Sequence, residues 1–294
     1  MTQKALIVTA LVVTALVATA CSDDGVDPIT KITDSRVLAI TTEPSVLTID
    51  GSMRVNALTV DPDGPRIGVG SRASSVDRPV DSVRMRACAP WKFVTDPSRD
   101  CVGADALVLG TDDDGELVMS TAALEAAFPA PGRDAPPDAW RAALAAGLRL
   151  RVPIIAEVDV DGRTLIARRD VELVDAAVVR TNPRVVEVRF DGVATTTLRA
   201  AQSYALTVTV DAASLDERPD PEMPGPREQV ESSFYSPAGE LGDPRVELAD
   251  PEAMQPESEP TTYTTGPSAA TWLFVVVTDE TGGMGLVSVP LVIE

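Results

Sequence analysis

The feature that most constrains the fold is a series of short apolar runs, each closed by residues that favour turns. In the run from Val80 to Cys88, Val83, Met85 and Ala87 alternate with polar or charged residues. A period of two places alternate side chains on opposite faces of a β-strand, so that one face can be buried. The runs around Asp159-Val-Asp-Gly162 flank an Asp-Gly pair, which is a strong hairpin signal. The chain is therefore predicted to be mostly β.

The order of these runs is similar in the two halves of the chain. Each half has an opening strand after a polar break, a second strand, a long excursion and a closing hairpin. The first hairpin is predicted from Leu148–Val158 and Leu165–Val174, and the second from Thr271–Val277 and Leu286–Ile293. The halves share a pattern and no residue-level repeat. Short strands with frequent turn residues favour antiparallel β-sandwiches, so we predict two in tandem, at residues 36–178 and 179–294.

Two short helices are predicted inside the first half. Thr121–Phe128 is one, and Asp138–Gly147 is the other, with prolines before it and a glycine placed to end it. We expect them to form a small insertion in the first sandwich.

Two stretches resemble parts of a known class of module. Residues 36–64, RVLAITTEPSVLTIDGSMRVNALTVDPDG, resemble the opening of Ig-like, PKD-like modules of bacterial surface lipoproteins, and residues 272–293, WLFVVVTDETGGMGLVSVPLVI, resemble their closing hairpin. The resemblance implies an Ig-like fold and says little about activity, because such modules serve many roles. These modules often have a core tryptophan that is missing near Phe234, so either Phe234 or Trp272 is expected to fill that place.

The N-terminus predicts export. Lys4 precedes an uncharged run, Ala5–Ala20, that is short for a membrane-spanning helix and ends in small residues. Residues 1–20 are therefore interpreted as a signal peptide.

The end of that run resembles the lipobox of bacterial lipoproteins. Ala18-Thr-Ala-Cys21 has the small residues and the cysteine, although the family usually has Leu where Ala18 stands. The resemblance implies that Cys21 is lipidated and becomes the first residue, and that Ser22, lacking a retaining aspartate, favours the outer membrane. The alternative is an ordinary cleaved signal followed by a stray cysteine. Residues 21–35 are polar and acidic, and are predicted to be a flexible tether.

Composition excludes several functions. The chain has 25 basic and 45 acidic residues, a net charge of −20, which argues against nucleic acid as a partner because such binding needs clustered positive charge. It has no histidine, which removes Ser-His-Asp and Cys-His catalysis and histidine zinc sites. No cofactor is expected.

The two remaining cysteines are predicted to form a disulfide. Cys88 and Cys101 would meet in an oxidising compartment, and a metal site would need soft ligands that the chain lacks. Trp91 and Phe93 lie between them. They are candidate contacts for a partner, although packing of the loop against its sandwich is the favoured interpretation.

Two glycine-containing segments suggest other sites. Asp112-Asp-Asp-Gly115 lacks the first and last ligands of an EF-hand, so a solvated turn is favoured over calcium. Gly282-Gly-Met-Gly285 has no following helix or nearby lysine, so a hairpin turn is favoured over a phosphate loop.

These observations support a functional hypothesis. The chain is predicted to be a protein anchored to the outer membrane by its N-terminal lipid, with Ig-like modules for binding, adhesion or spacing and no catalysis. Its ligand would be a protein or a glycan. The alternatives are a carboxylate-dependent polysaccharide hydrolase, which needs two paired carboxyl groups in a groove, and an accessory subunit of an envelope complex.

Overall fold

The computed structural model describes residues 30–66, 79–90, 101–128, 139–146, 150–175, 178, 180–217 and 227–294. Two helices lie among them, α1 (Thr121–Ala127) and α2 (Ala139–Ala145), both where the sequence predicts them. The Ser120 hydroxyl caps α1 by accepting from the Ala123 amide at 3.2 Å. The other elements are strands and two short 3₁₀ turns.

Strands β1 to β10 form two sheets that we call the N-terminal sandwich. One sheet has the order β1-β3-β8-β7, with β4 paired to β3, and the other has the order β2-β10-β9-β5-β6. The strands are β1 (Arg36–Glu43), β2 (Leu47–Thr48), β3 (Ser52–Asp61), β4 (Gly64–Arg66), β5 (Ser82–Cys88), β6 (Ala106–Val108), β7 (Gly110–Thr111), β8 (Leu117–Ser120), β9 (Leu150–Val160) and β10 (Arg163–Val174). Met53 and Val55 of the first sheet meet Met85 and Ile154 of the second in a shared core.

Strands β11 to β19 form two further sheets, the C-terminal sandwich. Their orders are β11-β13-β17-β15 and β12-β19-β18-β14-β16. The strands are β11 (Val185–Phe190), β12 (Thr197–Leu198), β13 (Ser203–Val210), β14 (Val230–Tyr235), β15 (Glu240–Leu241), β16 (Arg245–Glu247), β17 (Thr261–Thr264), β18 (Ala269–Asp279) and β19 (Met284–Ile293). Phe190 and Tyr263 of one sheet pack with Phe234 and Leu273 of the other.

The predicted β class and sandwich layering are confirmed. Every predicted hairpin is present, and Asp161 and Gly162 between β9 and β10 have φ of 51° and 75°, the left-handed values that a tight hairpin turn needs. Gly282, with φ of 87°, lies in the β18–β19 turn, so that predicted hairpin is confirmed as well. The boundary at residue 178, and the tandem Ig-like assignment that depends on it, stay predictions.

Burial agrees with the sequence pattern at Phe234 and departs from it at Arg86. Phe234 is fully buried in the C-terminal core, whereas Trp272 is partly buried in a separate cluster with Phe274. Arg86, in contrast, is 7% exposed although the alternation in β5 places it among the polar and charged residues opposite Val83, Met85 and Ala87. Its guanidinium pairs with Glu157, beside the buried cluster that Cys88, Cys101 and Ile155 form over this part of the sheet.

The end of the predicted tether is packed. Ile32 is 1% exposed, and its amide donates to the Ser236 carbonyl at 3.0 Å while the Ser236 amide donates to the Thr30 carbonyl at 3.0 Å. Any free tether therefore ends before Thr30, because its last residues add a short parallel bridge to the C-terminal sandwich.

Candidate functional site at the junction of the sandwiches

An apolar cluster lies where the two sandwiches meet. Ile32, Val60 and Phe274 are buried there, and Trp272 stacks on Phe274 with ring centroids 6.2 Å apart. Gly64 turns the chain of the N-terminal sandwich against the Trp272 indole, where a Cβ would come within 2.7 Å of Nε1. Only glycine fits both this approach and the φ of 129° found there. The junction is thus packed like an interior.

Asn182, in the segment between the sandwiches, bonds both of them. Its side-chain amide donates to the Thr42 carbonyl at 2.6 Å and to Glu43 Oε2 at 3.0 Å. Its Oδ1 accepts from the Met284 amide at 2.8 Å. One side chain therefore ties the edge strand β1 to the closing hairpin β18–β19.

We predict that Asn182→Ala lowers the free energy of unfolding by about 1–3 kcal/mol, because it leaves the buried Thr42 carbonyl and the partly buried Met284 amide without these hydrogen bonds. Chemical denaturation of wild type and variant measures the loss. Asn182→Asp keeps the shape but places an oxygen against the Thr42 carbonyl and the Glu43 carboxylate, so it should cost at least as much. Wild-type stability in the aspartate variant would contradict the role assigned to these bonds.

Arg169 of β10 is a second tie. The residue is 8% exposed, and its guanidinium donates to the Ile40 carbonyl at 2.6 Å and to the Gly282 carbonyl of the β18–β19 turn. Burial lowers the pKa of Arg169 to about 10, and the nearby Asp279 carboxylate opposes that shift. The side chain is therefore charged at neutral pH, with Asp279 as its buried counter-charge.

Asp279 shapes the turn that receives Arg169. Its Oδ1 accepts from the Thr281 amide at 2.8 Å, the Thr281 hydroxyl at 2.9 Å and the Gly283 amide at 2.6 Å. A Cβ on Gly283 would collide with Asp279 Oδ2, and one on Gly285 would collide with the Pro183 carbonyl. The glycines are thus needed for close approach of the hairpin to the connecting segment, as well as for its turn.

Glu228 and Asp216 complete an acidic group beside this turn. Glu228 is 0% exposed, and its Oε1 accepts from the Asp216 amide at 2.9 Å. Asp216 accepts from Thr181 through both the amide, at 2.8 Å, and the hydroxyl, at 3.0 Å. Burial first, and then the charge of Asp279, raise the pKa of Glu228 to about 8. Burial also raises the pKa of Asp279, against the hydrogen bonds that lower it.

A raised carboxyl pKa is typical of catalytic acids, but the location of the carboxyl group decides whether it can act as one. A general acid must reach its substrate, whereas Glu228 has no exposed surface. The group is therefore a structural part of the junction.

A groove of about 510 Å³ opens on the surface beside the junction. It is lined by Thr41, Thr42, Glu43, Arg54, Asn56, Ala57, Leu58, Arg66, Glu116, Asn182, Met284 and Leu286. Its charged groups are engaged with the protein: Arg54 Nε lies 2.7 Å from Glu116, and Arg66 Nε lies 2.6 Å from Asp61. The groove thus combines an apolar lining with polar groups that the protein already engages.

The structure brings only some of the sequence-predicted site residues into view. Cys88 and Cys101 form the predicted disulfide and are both buried. Cys21, Trp91 and Phe93 lie outside the described residues, and their roles stay predictions.

The acidic turn at residues 112–115 is pinned by an arginine. Arg54 Nη2 lies 3.6 Å from Asp112 and 3.4 Å from Asp114, and Asp112 Oδ1 accepts from the Asp114 and Glu116 amides. A guanidinium thus faces carboxylates that a calcium ion would need. Across the described ranges, no group of three or more acidic or cysteine side chains is arranged to hold a metal ion.

Sequence reasoning missed Arg169, Asn182, Glu228 and Asp279. A signal existed for the arginine, because Arg169 lies in phase with Val171 and Leu173, which face the N-terminal core. When a charged residue lies two residues from core-facing side chains on the same strand, it is expected to face the core as well and to have a buried partner. The other three stand at turns or in connections, where composition alone does not distinguish them.

Helices in the described part of the chain are all too short or too polar to cross a membrane.

Comparisons with known proteins find likenesses of shape only. No family model matches the chain, and no curated protein matches it. Among solved structures it is similar to red sea bream transglutaminase, at 12% identity and a TM-score of 0.31, over 90% of this chain and 32% of that one. It is also similar to the Yersinia pseudotuberculosis adhesin InvE, at 10% identity and a TM-score of 0.21, over 90% of this chain and 61% of the other.

A third similar structure is that of the chicken CNTN1 FN1-FN3 domains, at 7% identity and a TM-score of 0.23. The match covers 89% of this chain and 65% of that chain. The chain thus spans about a third of the transglutaminase and under two thirds of the other two. TM-scores this low assign no function, so the functional argument depends on the junction itself.

Proposed function

We propose that this chain is an exported, lipid-anchored outer-membrane protein whose two Ig-like sandwiches act as one stiff unit for binding or spacing, without catalysis. The observation that supports this proposal is the junction, where Arg169, Asn182 and the apolar cluster bond the N-terminal sandwich to the closing hairpin of the C-terminal one. Domains joined by a bare linker move independently, whereas buried contacts hold them together. Stiffness suits a protein that presents a surface at a fixed distance.

The attachment point gives this unit an orientation. Thr30 and Ile32 enter at the junction, between the two sandwiches, and not at one end of the pair. From a lipidated Cys21 to Thr30, an extended chain reaches at most roughly 30 Å. The anchor would therefore hold the unit near its middle and close to the membrane surface, with both sandwiches displayed.

The groove beside the junction is the proposed contact surface for a protein or glycan ligand. Its apolar lining includes Leu58, Met284 and Leu286, and apolar lining with a few polar groups is typical of binding sites. The alternative, polysaccharide hydrolysis, needs two carboxyl groups directed at the substrate. Both carboxylates in this groove are engaged, Glu43 by Asn182 and Glu116 by Arg54, which favours binding.

The anchor is tested by expressing the full chain in a lipoprotein-processing bacterium. Wild type is expected to incorporate labelled fatty acid and sediment with membranes, and Cys21→Ala is expected to lose both. The matched control is Cys88→Ala/Cys101→Ala, which removes the other two cysteines and should keep the label. A soluble, unlabelled wild type would overturn the anchor and make a secreted enzyme an equal hypothesis.

A further inference from the structure

Three carboxyl groups and two arginines meet on the side of the junction where the connecting segment passes. The charged groups that face Glu228 are Asp279 of β18, Asp216 and Arg180. Those that face Asp279 are Asp216 and Arg169 of β10. The open pocket beside Asp279 also carries Arg151, Asp170, Glu172, Arg180 and Glu280. Arg169 and Arg180 balance only two of these three carboxylates.

Glu228 and Asp279 each leave one oxygen without a partner. Glu228 Oε1 accepts from the Asp216 amide and Asp279 Oδ1 accepts three bonds, but Glu228 Oε2 and Asp279 Oδ2 are buried with no hydrogen-bond partner among the described residues. A buried carboxylate oxygen without a donor is costly, and two such groups repel each other. A donor is missing at this place.

We propose that the buried carboxyl of Glu228 keeps its proton at neutral pH, and that this proton latches the connecting segment to the C-terminal sandwich. Protonation turns one carboxylate oxygen into an O–H donor and removes one negative charge. The charge of Asp279 is then left to face Arg169.

The latch reaches the connecting segment through Asp216. Glu228 fixes the Asp216 backbone, and the Asp216 carboxylate holds the amide and hydroxyl of Thr181, next to the interdomain tie Asn182. When the proton leaves, repulsion between Glu228 and Asp279 drives Glu228 towards water. Asp216 then loses its support, and Thr181 is released.

The direction of the pH effect follows from the two states. An unfolded glutamate ionises near its ordinary pKa of about 4.3. In the folded protein, burial and Asp279 raise the pKa of Glu228 to about 8, so the native state binds more protons between these values. Stability is therefore full at acidic pH and is lost as pH rises towards about 8, which is opposite to a carboxylate in a salt bridge.

The test compares the full-length wild type with Glu228→Gln by urea denaturation from pH 5 to 9. Glutamine keeps the acceptor for the Asp216 amide and supplies a permanent N–H donor in place of Oε2. The unfolding equilibrium constant of wild type is expected to rise, relative to the variant, by up to tenfold per pH unit between about pH 5 and 8. The variant should be the more stable protein at pH 9. The control, Glu231→Gln on the exposed face of β14, should keep the wild-type slope.

Two further measurements decide the proposal even if Glu228→Gln does not fold. The carboxyl ¹³C resonance of Glu228 in wild type should titrate near pH 8, and the Thr181 amide should lose protection from hydrogen exchange above that pH. Titration near the ordinary value, or unchanged Thr181 protection across the transition, would overturn the latch. Stabilisation of wild type by Ca²⁺ at pH 9 would overturn it too, since a cation and not a proton would then neutralise the pair.

Discussion

Cys88→Ala/Cys101→Ala is expected to lower the free energy of unfolding by about 3 kcal/mol, the value that chain entropy gives for a loop near this length. The two cysteines are 13 residues apart, and both are fully buried beside Ile155. Their bond closes the loop that leads from the end of β5 to β6, the edge strand that pairs with it. Urea denaturation of wild type and the double variant measures the difference.

Reductant gives the matched control for this prediction. Dithiothreitol should destabilise wild type by a similar amount and leave the double variant unchanged. A wild type that unfolds at the same urea concentration with and without reductant would show that the bond adds no stability. The expected loss also relates stability to the cellular compartment, because the protein would be markedly less stable in a reducing compartment than in an oxidising one.

The strands and turns were predictable because their causes are local. The alternation in Val83, Met85 and Ala87 reflects burial on one face of β5, and Asp161-Gly162 supplies the left-handed residues that the β9–β10 hairpin needs. The disulfide follows from counting the cysteines that remain once Cys21 is set aside as the predicted lipidation site. These inferences need only neighbours in sequence and the chemistry of the residue type.

The junction was not predictable in the same way, because its partners are distant in sequence. Arg169 bonds carbonyls 129 and 113 residues away, and Asn182 bonds groups 140 and 102 residues away. The alternation of side chains along β10 indicates that Arg169 faces inward, but it does not identify the Ile40 and Gly282 carbonyls as its hydrogen-bond acceptors. The packed end of the tether has the same cause, since Ile32 is buried by residues from both sandwiches.

Arg169→Met is expected to lower the free energy of unfolding by about 3–5 kcal/mol, because it removes a buried charge together with its hydrogen bonds to two carbonyls. Methionine fills much of the space but leaves Asp279 without its counter-charge and two carbonyls without a donor. The free energy of unfolding of Arg169→Lys should lie between those of wild type and Arg169→Met, because a lysine ammonium cannot reproduce the two hydrogen bonds that the planar guanidinium donates in different directions. Denaturation monitored by calorimetry measures these losses.

Calorimetry also separates a junction defect from a general one. If Arg169 couples the sandwiches, Arg169→Met should split a single unfolding transition into two, because each sandwich keeps its own core. The control is Arg168→Met, one residue away, where the arginine pairs with Asp170 at 2.7 Å and is about a third exposed. That surface pair should contribute less than about 1 kcal/mol. Equal losses in the two methionine variants would mean that the buried arginine does not hold the junction, and the stiff unit proposed here would lose its main support.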